Sequence, residues 1–194
     1  METTKPNRKF KQRQDTKLKS IYSRCLITKT ITLPITAIGN NISETIENII
    51  KINFEGKCIV EGYIKPNSSK IITYSSGVIN RGNRVSFEAV FECETCFPVE
   101  GMLISCVAKN ITKAGIKAES DKEVPSPIVV FIARDHHFNN AYFNEIKEGD
   151  KFNVRVIGQR FELNDTYISI IGEIIKPKVD QPRIEQKARI SIED

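Results

Sequence analysis

The sequence predicts a mostly β protein of the α+β class: an antiparallel sheet with one helix, then a five-stranded barrel. Three observations carry this. Strand-length segments rich in β-branched residues recur through the chain, several of them alternating apolar with polar positions. A single three-turn helical period interrupts them, at Ile42, Ile46, Ile49 and Ile50. The β pattern breaks at Phe97-Pro98 and then begins again.

The elements follow in order. Tyr22 to Leu33 reads as a strand that stops at Pro34, since proline cannot donate to a ladder. Asn41 offers a helix cap, and the helix ends before Gly56. Strands are expected over Lys57–Ile64, Lys70–Ser76 and Arg84–Cys93, separated by turn signals at Pro66-Asn-Ser-Ser69 and Asn80-Arg-Gly-Asn83. In the last strand Val85, Phe87, Ala89, Phe91 and Cys93 form one face. Beyond Phe97, Met102, Ile104, Cys106 and Ala108 alternate on a first strand. Ala114–Glu119 and Ile128–Ala133 follow, then a short helix over Phe138–Ile146. Phe152, Val154 and Val156 open a fourth strand, and Tyr167–Ile174 forms a fifth. Five strands with a small helix between the third and fourth is the layout of an OB barrel.

The chain has 194 residues and a net charge of +5. The charge is not spread evenly. Residues 1–19 hold seven basic and two acidic side chains, and residues 20–194 hold 22 of each. Residues 1–19 are nearly devoid of apolar side chains and read as a flexible basic arm suited to sequence-independent phosphate contact. Nuclear import and simple solubility are rival readings of the same arm. The segment 176–194, with Pro177 and Pro182, reads as a tail. Two domains are expected between them, 20–96 and 97–175.

Composition excludes several classes. Apolar runs such as Ile128–Ile132 are far shorter than the ~20 residues of a membrane helix. Gln12, Gln14 and Asp15 stand where the apolar core of a secretory signal would be. Five cysteines, an odd number, do not read as a disulfide framework and point to a reducing intracellular setting. Phosphate-binding glycine loops and a Ser/His/Asp arrangement are missing, so a non-enzyme is expected, without cofactor. Cys93-Glu-Thr-Cys96 is a CxxC, but zinc needs four ligands. Cys58, Cys106 or His136-His137 would have to complete the set, and the alternation of Cys93 and Cys106 with core positions favours buried thiols instead. No metal site is therefore assigned.

The barrel is the natural place for nucleic acid, although 97–175 carries nine basic against eleven acidic residues. Local patches must supply the contact. Lys109, Lys113 and Lys117 lie on or beside the turn between its first two strands, and Arg155 and Arg160 on or after the fourth. Phe131 and Tyr167 are candidate stacking residues, although the place of Phe131 in an apolar run favours a core reading of it. His136 and His137 follow the third strand and read as a solvated surface pair.

Phe97-Pro-Val-Glu-Gly101, Val107, Gly115-Ile116, Ile132, Phe143, Gly149-Asp150 and Val154-Arg-Val156 look like the RNA-binding OB domain first described in a ribosomal protein. Before it come a strand, Pro34, one helix, Glu55-Gly-Lys-Cys58, Gly62-Tyr63 and a long strand ending in Phe-Pro. In this order the chain resembles the larger stalk subunit of multisubunit DNA-directed RNA polymerase, over about residues 22–175. Large DNA viruses carry versions of it. The resemblance implies a non-catalytic subunit that docks through its N-terminal half, the tip, onto the polymerase core and offers the barrel to nascent RNA. It implies a smaller helical stalk subunit as companion, and a place in the nucleus, the cytoplasm or a virion. It places docking at Pro34, Gly56, Gly62 and Tyr63, and puts His136 on a loop bordering the nucleic-acid face. The basic arm, the tail and Ile116, where such domains often carry an aromatic residue, depart from the family. A free-standing RNA-binding OB protein of translation or RNA decay and a zinc-stapled interaction protein are the alternatives.

Overall fold

The computed structural model describes residues 20–176. The expected arm, 1–19, and all of the expected tail after Lys176 lie outside the described residues.

β1 (Tyr22–Pro34) pairs antiparallel with β6 (Arg84–Cys96) along its whole length, from Tyr22 opposite Cys96 to Pro34 opposite Arg84. The period of two sorts their side chains. Ile27, Ile31, Leu33, Val85, Phe87, Ala89 and Phe91 are buried on one face, and Thr28, Thr30 and Thr32 are exposed on the other. α1 (Ile42–Phe54) covers the buried face with Ile46 and Ile50. Asn41 stands at its N-cap but makes no side-chain cap bond. Its carbonyl takes the Thr45 N–H, and its side-chain amide turns to Glu44. The Glu55 carboxylate ends the helix region by accepting the N–H groups of Asn67 and Ser69.

The expected strand over 57–64 is a tight hairpin of β2 (Cys58–Ile59) and β3 (Gly62–Ile64). Gly62 has φ +114°, and a Cβ there would collide with the Cys96 carbonyl. The two-residue turn, Val60-Glu61, is exposed but carries none of the Asn, Asp or Gly that usually mark such a turn. β4 (Lys70–Tyr74) and β5 (Val78–Asn80) both pair with β6. β5 has no counterpart in the sequence reading, because its three residues are too few to show a period. β6 runs on to Cys96, past the expected end at Cys93.

The second half is a closed barrel of five strands: β7 (Leu103–Ile111), β8 (Gly115–Ser120), β9 (Ile128–Ala133), β10 (Lys151–Arg160) and β11 (Ile168–Ile175). The ring runs β7-β8-β9-β11-β10 and closes back on β7; only β9 and β11 are parallel. The helix between the third and fourth strands shrinks to α2 (Ala141–Glu145), preceded by a 3-10 turn over Arg134–His136. Ring order and helix placement fit an OB-like barrel.

The barrel core does not stop at the barrel. Tyr22, Cys58, Tyr63 and Cys96 of the N-terminal sheet belong to the same buried cluster as Ile104, Ile116, Val130 and Val154. A second cluster lies wholly within the sheet and α1.

Candidate nucleic-acid interface

A groove of about 690 Å³ lies along the seam between the two halves. Its barrel side is built by the outward positions Val107, Lys109, Lys117, Glu119 and Val129 of the first three barrel strands. Thr166 and Tyr167 come from the loop before β11. Gly56, Tyr63 and Pro66 of the sheet half form the facing wall. The groove is therefore composite: two residues expected to dock on a partner, Gly56 and Tyr63, line the same space as two expected to touch RNA, Lys109 and Lys117.

Register explains the arrangement. Lys117 stands opposite Phe131, and Phe131 opposite Ile171, so the three form one cross-strand row on the barrel exterior. Phe131 is 40 % exposed and Tyr167 45 %. The core reading of Phe131 gives way: the residue points outward on β9 and is only partly covered. Next along the barrel, Glu119 faces Val129, Val129 faces Ser169, and Ser169 faces Arg160.

The groove carries charge of both signs. Lys109 lies 3.7 Å from Glu119, and Asp121 pairs with Lys151 at 2.6 Å. The Lys109–Glu119 pair is largely exposed and adds little stability, whereas the Asp121 carboxylate is mostly buried. Lys113 and Lys117 make no ion pair among the described residues. Arg155 lies on the β10 side beside Glu173 at 3.7 Å, away from the groove, and Arg160 is held by Glu162 at 3.1 Å.

The histidines separate. His136 is exposed, whereas His137 is 4 % exposed, which corrects the reading of both as a solvated pair. The His137 Nε2 accepts the Ile174 N–H at 3.1 Å, so its proton sits on Nδ1, which donates to the Ala133 carbonyl at 2.8 Å. The ring also stacks on Phe143. His137 thus ties β9, α2 and β11 together.

Arg134 was not picked out from the sequence, where an isolated arginine after a strand carries no pattern. Its guanidinium donates to the carbonyls of Lys113 and Thr112 at 3.0 and 3.2 Å and lies over the Phe143 ring. It holds the turn that presents Lys113.

The docking residues do not form one patch. Pro34 is exposed at the far end of β1, roughly 40 Å along the strand from Tyr22 at ~3.3 Å per residue. Gly56 is half-buried, and Gly62 and Tyr63 are buried in the seam.

The CxxC cannot act as a chelating pair. Residues i and i+3 of a strand point to opposite faces. Cys93 enters the sheet core and Cys96 the barrel core. Among the described residues no group of three or more His, Cys, Asp or Glu converges as a metal set. Burial pushes the thiols of Cys93, Cys96 and Cys106 up to about 12 and that of Cys58 up to about 11, as expected of apolar packing residues. All five cysteines are unbridged.

The fold and groove define a class first: a mostly β protein whose OB-like barrel is fused through a shared core to a helix-bearing sheet. The chain is 27 % identical over 163 residues to the protein named "Putative DNA-directed RNA polymerase subunit L376" of Acanthamoeba polyphaga mimivirus, a large DNA virus; the match covers 74 % of this chain and 76 % of that protein. No family model matches the chain. Among the described residues no helix is long and apolar enough to cross a membrane.

Proposed function

We propose that this chain is a non-catalytic stalk subunit of a DNA-directed RNA polymerase. Its sheet half docks on the polymerase core, and its barrel contacts nascent RNA along the seam groove. The observation that carries the reading is the relative named as a polymerase subunit, matched over most of the length of both proteins. The coarser part, a polymerase subunit of viral type, rests on that match. The stalk role rests on the sequence resemblance together with the order of parts, a helix-bearing sheet followed by an OB-like barrel.

The groove supplies what single-stranded RNA needs: lysines for phosphate and an exposed aromatic ring for a base. Lys109, Lys117 and Tyr167, which line the groove, are the contacts of first choice; Phe131 continues the row beside Lys117, while Lys113, His136 and Arg160 lie outside the groove as secondary contacts. Arg155 belongs to a separate contact, if RNA continues around the barrel. Pro34 is the exposed docking residue, while Gly62 and Tyr63 shape the docking segment from within. A smaller helical stalk subunit is the expected companion. A free-standing RNA-binding protein is the competing reading, because the groove is complete within one chain.

Photo-crosslinking from a thiouridine in the emerging transcript of a stalled polymerase tests the RNA contact. Adducts on peptides carrying Lys117, Phe131 or Tyr167 are expected. Adducts confined to other polymerase subunits would remove the RNA role of the groove.

A further inference from the structure

The loop that carries Tyr167 into the groove is fastened to the other half of the molecule. The Cys58 N–H of β2 donates to the Asp165 carbonyl at 2.8 Å, and the Asn164 N–H donates to the Cys58 carbonyl at 2.8 Å. β2 is a two-residue strand whose other side is already paired with β3. The loop therefore occupies the free edge of the sheet. At the start of the loop Phe161 meets Phe97, the first residue after β6, edge to face with ring centres 6.1 Å apart.

Within the loop, Asp165 sets the shape. Its Oδ2 accepts the Glu162 N–H at 2.7 Å, and its own N–H donates to the Glu162 carbonyl at 3.2 Å. This closes a turn in which Asn164 takes φ +71°. That turn aims the Asp165 carbonyl and the Asn164 N–H at Cys58, and the next two residues, Thr166 and Tyr167, line the groove.

We infer that Asp165 is a positioning residue for RNA in the groove: its carboxylate shapes the loop that the sheet half grips, and so fixes Tyr167 in the groove that Tyr63 and Pro66 also line. This rests on the reading of the groove as an RNA site. It adds that Tyr167 is set by the docking half, through Cys58, and not by the barrel alone. A contact on the 56–64 hairpin then has a direct route to the RNA face.

The test is a titration of the full-length chain with a fluorescein-labelled 12-nucleotide oligouridine at low salt, with four variants. Tyr167→Ala is expected to weaken binding about 5- to 150-fold, the range for one stacked base. Asp165→Ala is expected to weaken it in the same direction. In the Tyr167→Ala background, Asp165→Ala should add less than about twofold, because both changes remove one contact. Asp165→Asn keeps an acceptor for the Glu162 N–H and should restore most of the affinity. Hydrogen exchange of the 161–167 peptide should rise in Asp165→Ala and return in Asp165→Asn, while β7 to β9 peptides stay protected, which shows that the barrel still folds. Dependence on Tyr167 with none on Asp165, or full additivity of the two, overturns the inference and leaves the groove reading standing. Binding that ignores Tyr167 overturns the groove reading and the inference with it.

Discussion

Single residues decide more here than their types suggest. His137 is a core group that accepts a backbone N–H from β11 and donates to a carbonyl at the end of β9. Replacing it by alanine leaves the Ile174 N–H without a partner and opens a cavity beside Phe143. A loss of about 2–4 kcal/mol is expected from those two terms, read as a lower urea midpoint. His136→Ala, at an exposed site one residue away, should leave the midpoint within about 0.5 kcal/mol. Gly62 is a second case. Its φ of +114° and the neighbouring Cys96 carbonyl leave no room for a side chain. Gly62→Ala should therefore cost about 1–3 kcal/mol of stability, so a docking defect in that variant has to be separated from unfolding by the same urea curve. The cysteines give a third expectation. Thiolates are the reacting species, and burial holds Cys58 up to about 11 and Cys93, Cys96 and Cys106 up to about 12. At pH 8 iodoacetamide should modify half-buried Cys25 in the native protein and the other four only in denaturant. Mass spectrometry showing fast native labelling of Cys96 would contradict the shared core.

At the scale of elements, the sequence reveals what repeats and hides what is brief. β1, β6 and the barrel strands are long enough for the period of two to show, and α1 is long enough for its isoleucines to align. The 57–64 hairpin was not legible, because the five residues of β2 and β3 are all buried, so neither strand alternates, and the Val60-Glu61 turn between them lacks the usual Asn, Asp or Gly. β5 was not legible because three residues carry no period. The outward face of β9 was only half legible. Ile128-Val-Val-Phe-Ile132 is uniformly apolar, so Phe131 looks like core until register puts it beside Lys117 and Ile171. The CxxC shows the opposite fault: a motif visible in sequence loses its meaning once a strand sends its two sulfurs to different cores. The site lysines were legible as residues near a turn. What joined Lys109 and Lys117 to Gly56, Tyr63 and Tyr167 was the seam, a long-range contact with no local signature.

Across the whole molecule, charge and structure fall on different parts. Residues 20–175 hold 17 basic and 18 acidic side chains, so the folded body offers phosphate only local patches. We propose that the seven basic residues of 1–19 supply the long-range attraction. Deleting 1–19 should flatten the dependence of log affinity for single-stranded RNA on log salt by up to about 5, from ~0.7 per phosphate contact. An unchanged slope would assign those contacts to the body. The same deletion should leave docking on the polymerase intact, since docking is assigned to the sheet half. That claim, that the chain is a polymerase subunit, is tested most directly by purifying the tagged full-length chain from its native source and measuring what comes with it by quantitative mass spectrometry. The two largest polymerase subunits are expected in equimolar amount through a salt wash that strips free RNA. Recovery of the chain without them, in free form, would contradict the account.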